Sequence, residues 1–347
     1  MQTFPRIPER GDFAFQTLIA PYRVSAQTLA DTRGYFGLRL TKHTAFGCVR
    51  DDEGQLYSFV RSLNSPTGTP NPMKFIYQSS RVDGRTLRID PVRTGAQAMT
   101  AMPDRALEGA PGDESMRWSS VAGEPGNPWR VSASGQRIAW REDGLFELSG
   151  ALMGEGFQWY LPGPEWGMFY VSQLYELTGH CEGRPVRGAM ALDQPYMVEG
   201  GAIHFQKDPI VHNKKHVAWW SFVTVYQDGS WDTGSFMVGH ERLGYAIFQN
   251  HRGELRTTTD VEAAVRHKAD SWFAESIVVT VDGQEQWEFL PDRYGEMADF
   301  TGGFPVTAQQ EGRWRRVGDT REPDRWFGWG ESDRRNGTAR NVLGCDA

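Results

Sequence analysis

Three strand-like runs with one acidic motif between them, within Trp159–Gly229, constrain this chain more than any other feature. The first is Trp166-Gly167-Met168-Phe169-Tyr170-Val171-Ser172-Gln173-Leu174-Tyr175-Glu176-Leu177-Thr178-Gly179. The second runs from Arg184 to Leu192 and ends in Asp193-Gln194-Pro195-Tyr196. The third is His216–Tyr226, closed by Gln227-Asp228-Gly229. β-branched and aromatic residues dominate each run, and Gly- or Asp-containing turns separate them. The fold class is therefore all-β and antiparallel.

The same rhythm extends in both directions. Residues 1–33 read as irregular, with one short helix near Ser25–Thr32. A meander follows through Tyr35–Leu40, Thr44–Arg50, Gln55–Leu63, Met73–Ser80 and Arg85–Ile89. Residues 93–128 break it. They are rich in Gly, Pro, Ala and acidic residues, and read as a long loop, either a lid over a cavity or a mobile surface insertion. Strands resume at Trp129–Ser132, and a second meander follows residue 200. In that half, Asp260–Ala269 has the best helical composition of the chain and follows a plausible Thr257-Thr258-Thr259 cap. The total is near twenty strands. All-β meanders avoid open edges by closing into barrels or stacking sheets. The expectation is two barrel-like or sandwich-like domains side by side, at 1–205 and 206–347.

Charge and cysteine usage exclude several functions. The 37 basic and 44 acidic residues leave a net charge of −7, which argues against a nucleic-acid partner. The longest apolar runs reach about ten residues, half of what a membrane span needs. Cys48, Cys181 and Cys345 show no paired or metal-ligating spacing. With no secretory signal in Met1-Gln2-Thr3-Phe4-Pro5-Arg6, a cytoplasmic location is expected. Nucleophile-elbow, phosphate-loop and dinucleotide motifs are lacking, so no cofactor is expected. Thirteen Trp residues suit broad sheet cores or an apolar cavity.

Few residues remain for chemistry. Asp193 ends an apolar strand before Pro195, which is expected to stop the ladder. A carboxylate at the mouth of an apolar barrel has the raised pKa that a general acid requires, whereas a turn Asp would only cap backbone N–H groups. Glu176 shares a strand face with Tyr170, Ser172 and Leu174. It is a second catalytic candidate if that face lines a cavity. His204, between Ile203 and Phe205, is either a proton carrier or a structural histidine. His212 and His216 have the i, i+4 spacing of a helical metal pair but precede a strand, so no metal is expected. His240-Glu241 reads as a turn. Tyr170, Tyr196, Trp219 and Trp220 are candidate substrate-binding walls, although the adjacent tryptophans cannot both face inward.

The order of these elements resembles the lipocalin-like (calycin) hydroxyneurosporene synthase, or carotenoid 1,2-hydratase, superfamily, which also includes lipocalin-like Diels–Alderases. Members typically carry an Asp-His-x-Trp-Gly element between two calycin-like domains, then an aromatic strand ending in Asp-Gly. Asp193-Gln194-Pro195-Tyr196 stands in the first place, with Gln194 for the His. Trp219-Trp220 and Asp228-Gly229 match the second, and Gly328-Trp329-Gly330-Glu331 is similar to the terminal strand. The resemblance implies an enzyme, a hydro-lyase or isomerase, acting on an apolar terpenoid, steroid or aromatic molecule. Asp193 would be the acid, and Glu176 or His204 the second group. The alternatives are a non-catalytic carrier of an apolar ligand and a structural scaffold without a cavity.

Overall fold

The structure is a computed structural model that describes residues 17–64, 74–163, 166–210, 216–241, 243–300, 307–334 and 339–340. The hairpin Met168–Cys181/Arg184–Met197 is its longest element, in unbroken antiparallel register from Cys181↔Arg184 to Met168↔Met197. Glu182 and Gly183 close it, both with positive φ (52° and 75°). That conformation matches the right-handed twist of the flanking strands.

This hairpin anchors a 14-stranded antiparallel sheet. His43–Asp51, Leu56–Asn64, Phe75–Ser79 and Arg88–Ile89 extend it on one side. Phe146–Ala151, Arg137–Glu142, Trp129–Ala133, Ser115–Ser119 and Asp104–Glu108 extend it on the other. The second sheet has ten strands. It is ordered Leu255–Thr258, Gly244–Asn250, Trp231–Gly239, His216–Tyr226, Pro323–Ser332, Ala308–Arg316, Glu285–Glu296, Ala274–Val281, Val261–His267 and Ala339–Arg340. Each sheet curls around its own apolar core. Tyr57, Phe59, Trp118, Trp140 and Tyr175 fill the first; Trp220, Phe222, Phe236, Trp287 and Trp314 fill the second. The all-β, two-barrel expectation holds, and no helix among the described residues is long and apolar enough to cross a membrane.

A third apolar layer lies between the sheets. Phe46, Trp159, Tyr170, Leu174 and Ala191 come from the first sheet; Val223, Met237, Tyr245, Phe327 and Trp329 come from the second. Strand alternation explains how one strand serves two cores. Along Arg184–Met197, Met190 and Leu192 enter the first barrel while Ala189 and Ala191 enter the layer between. Polar struts cross the same layer. Arg50 reaches from the first sheet to Asp292 (2.9 Å) and Glu311 (2.8 Å) of the second. Its guanidinium also donates to the Trp326 carbonyl (2.6 Å) and lies over the Trp326 ring.

Three expectations need correction. Asp260–Ala269 is not a helix: Val261–His267 is a strand paired with Ala274–Val281. Val261 and Ala263 are buried with period two, so burial overrides helical propensity. Residues 93–128 are not a structureless lid. Asp104–Glu108 pairs with Ser115–Ser119, and Met116 and Trp118 are buried in the first barrel. Finally, Pro195 does not stop the ladder, because it stays in register opposite Tyr170. Its carbonyl still accepts from the Thr41 N–H and hydroxyl, both at 2.9 Å. The helix at Ala26–Ala30 forms where expected, capped by Ser25 and Thr28.

Candidate active site between the two barrels

A cavity of about 100 Å³ opens in the layer between the sheets. Most of its wall is apolar. Phe46, Trp159, Met168 and Tyr170 come from the first sheet, and Trp219, Met237 and Trp329 from the second. The rings interlock: Trp159 stacks on Tyr170 at 5.2 Å, and Phe46 meets Trp329 edge-on at 5.1 Å. The Trp219 indole N–H donates to the Tyr245 hydroxyl at 3.2 Å.

Asp193 projects into this cavity from the first sheet, 2% exposed. It lies within its strand, opposite Ser172 on one side and Thr44 on the other. The Ser172 hydroxyl donates to Oδ1 at 2.6 Å, and the Tyr170 hydroxyl donates to Oδ2. Burial raises the carboxyl to about 7, although both hydroxyls and the nearby Lys42 favour the anion. Asp193 therefore carries a titratable proton near neutral pH. The site lies on the outer faces of both barrels, not at a barrel mouth as the sequence suggested.

The second sheet supplies the opposing polar group. Glu331 accepts from Thr307 (2.8 Å) and from the Gln309 amide (2.9 Å). His204 Nε2 lies 3.6 Å from the same carboxylate, and His216 Nε2 lies 3.7 Å from it. Burial opposes the Glu331 charge, but His204, His216 and the Thr307 hydroxyl overcome this and hold it down at about 2. Burial likewise opposes protonation of His204; Glu331 and Asp208 outweigh it and raise the imidazole. For His216 burial wins over the same carboxylates and lowers its pKa. Gln309 ties the group to the wall, since its carbonyl accepts from Trp329 Nε1 at 2.7 Å.

Of the residues nominated from sequence, Asp193, His204, Tyr170 and Trp219 line this one cavity. The others do not. Glu176 lies on the same face as Tyr170 but beyond the cavity, where Arg325 Nε donates to it at 2.6 Å. Its charge is spent on joining the sheets. Trp220 points into the second barrel against Phe289, and its N–H donates to the Gly328 carbonyl at 3.1 Å. Tyr196 lies on the opposite face of its strand, against Tyr35 and Phe169. His240 follows the strand Trp231–Gly239, and its backbone carbonyl accepts the Leu243 N–H in a turn. His212 falls outside the described residues. Among those described, no cluster of three or more His, Cys, Asp or Glu is placed to hold a metal ion. Sequence reasoning passed over Lys42 and Glu331. Glu331 stands in the Gly328-Trp329-Gly330-Glu331 run, and a carboxylate within an aromatic strand was the available signal.

No family model and no curated protein matches the chain. Two solved structures are similar in fold. A protein of Nitrosomonas europaea assigned as AttH is 15% identical, with a TM-score of 0.45 over 86% of this chain and 94% of that one. Kievitone hydratase from Nectria haematococca is 8% identical, with a TM-score of 0.46 over 96% of this chain and 99% of that one. At these identities the likeness concerns the course of the chain and not its chemistry.

Proposed function

We propose that the protein is an enzyme that adds water to, or eliminates it from, an apolar small molecule held between the two barrels, by acid catalysis and without a cofactor. The observation that carries this reading is Asp193. A carboxyl buried in an apolar, aromatic-walled cavity and titrating near 7 is prepared to give up a proton there. In the hydration direction, Asp193 protonates an alkene carbon. The Tyr170 and Ser172 hydroxyls stabilise the carboxylate left behind. The faces of Trp159, Tyr170, Trp219 and Trp329 surround the developing cation, each worth about 0.5–2 kcal/mol. His204, held by Glu331, orients the incoming water, which returns its proton to the Asp193 carboxylate as it adds. Elimination reverses these steps, and an isomerisation would instead release a proton from a different carbon to the Asp193 carboxylate.

The decisive experiment is Asp193→Asn, assayed on a substrate found by screening apolar metabolites for thermal stabilisation. Turnover should fall by at least about 10²-fold while ligand-induced quenching of tryptophan fluorescence persists. Normal turnover by the variant would sink the acid role. The mostly apolar wall also suits a carrier, and that second reading gains if ligands bind but none is converted.

A further inference from the structure

Lys42 lines the same cavity and has a chemistry that proton transfer to an alkene does not use. It sits between Thr41, clamped to the Pro195 carbonyl, and the strand that pairs with Asp193. The carboxylates around it are committed elsewhere. Asp193 accepts from Tyr170 and Ser172. Asp208 accepts from the backbone N–H groups of His204 (2.7 Å) and Ile210 (2.8 Å). Glu331 accepts from Thr307 and Gln309. Among the described residues, no hydrogen bond or ion pair holds the Lys42 ammonium. Lys74, Lys207 and Lys268 differ, since each has an oxygen partner: Met99, Glu199 and Glu296 respectively. Burial lowers the Lys42 pKa to about 8, against the pull of Asp193 and Asp208. A large neutral fraction near that pH is what an amine nucleophile needs.

We propose that Lys42 captures the carbonyl carbon of an apolar aldehyde or ketone as an imine, with Asp193 carrying the protons of the step. This rests on the cavity of the proposed function but not on its alkene chemistry. The neutral Nζ attacks the carbonyl carbon, forming the N–C bond as the C=O π pair moves to oxygen. A proton passes from nitrogen to that oxygen to give the carbinolamine. Asp193 then protonates the hydroxyl, the C–O bond breaks, and water departs as the nitrogen lone pair forms C=N⁺. The product is an iminium beside the Asp193 carboxylate, at an overall stoichiometry of one carbonyl consumed and one water released. An iminium withdraws electrons from a conjugated double bond, so α,β-unsaturated carbonyl compounds are the substrate class this assignment favours.

The test treats the full-length protein with 2-naphthaldehyde and sodium cyanoborohydride, which supplies the hydride that fixes an imine as a secondary amine. The chain has six lysines, so peptide mapping resolves them. Lys42 should label at least about tenfold faster than any other lysine, as expected of a desolvated amine. Its rate should rise as the ammonium gives up its proton toward pH 8 and fall as Asp193, titrating near 7, loses the proton it supplies, giving a maximum between about 7 and 8; His204, Asp208 and Glu331 also face this cavity. Lys42→Arg and Lys42→Met should both lose this label yet keep quenching of tryptophan fluorescence by the aldehyde. Labelling spread evenly over the lysines, or total labelling of both variants at the parent's rate, would overturn the assignment. If the aldehyde quenches tryptophan without trapping at Lys42, this inference fails and the apolar site stands. If it neither quenches nor traps, both fail.

Discussion

Losing the Asp193 proton costs the fold stability. Its folded pKa of about 7 stands above the ordinary 3.8. The folded protein therefore binds this proton more tightly than the unfolded chain does. Stability from this group is present below the unfolded value and is lost as pH rises through about 7. Three pKa units are worth up to about 4 kcal/mol. Asp193→Asn removes the titration, so its melting temperature should gain on the parent's between pH 5 and pH 8; parallel pH curves would refute this. Glu331 has the opposite sign. Held at about 2, it contributes stability above about 4.5 that is lost as pH falls toward 2, so the deficit of Glu331→Gln should shrink in acid. At this scale the sequence was legible in parity but not in polarity. Alternation shows that Tyr170, Ser172 and Glu176 share a face. Both faces of that strand are buried, however, so composition cannot tell which one lines the cavity. Lys42 stands just before a strand among polar neighbours, and nothing in its spacing marks it.

The strand His216–Tyr226 shows how a single element divides its labour. Trp219 faces the cavity, whereas Trp220 is 1% exposed inside the second barrel. Trp220→Ala should cost about 3–5 kcal/mol, as large aromatic truncations in cores do. Trp219→Ala should chiefly weaken ligand binding, by lost aromatic contact. Chemical denaturation and ligand titration of the pair separate the two effects, and equal stability losses would count against the division. The neighbouring strand depends on Gly330. A Cβ there would lie 2.1 Å from the Trp219 carbonyl oxygen and 2.2 Å from the Trp220 ring. Gly330→Ala should therefore displace Trp329 and Glu331 along with it and reduce ligand binding. Most strands, and the turns at Val82-Asp83-Gly84, Gln227-Asp228-Gly229 and Asp282-Gly283, were legible from β-branched runs and Asp-Gly signals; the order of the strands within each sheet was not. Val261–His267 was not, because Glu, Ala and Arg favour helices until two neighbouring strands claim the segment.

At the scale of the whole molecule, the two barrels are joined by apolar area and a few deep ion pairs. Arg50 is the central strut, its side chain 13% exposed and Glu311 fully buried. Burial lifts Glu311 to about 7 even with Arg50 beside it. Removing the cation alone leaves that carboxylate uncompensated, so Arg50→Met should destabilise by about 3–5 kcal/mol. A denaturation midpoint equal to the parent's would show that the strut contributes nothing. The division into two barrels was legible in the two meanders. Their contact was not, since the residues that form it lie far apart in sequence and look like ordinary core. Because the cavity lies on the outside of both barrels, its lining and the barrel interiors occupy alternate positions of the same strands. A library confined to Phe46, Trp159, Met168, Met237 and Trp329 would therefore vary ligand shape while each barrel keeps its own interior. The proposed site can thus change shape without either barrel giving up its core.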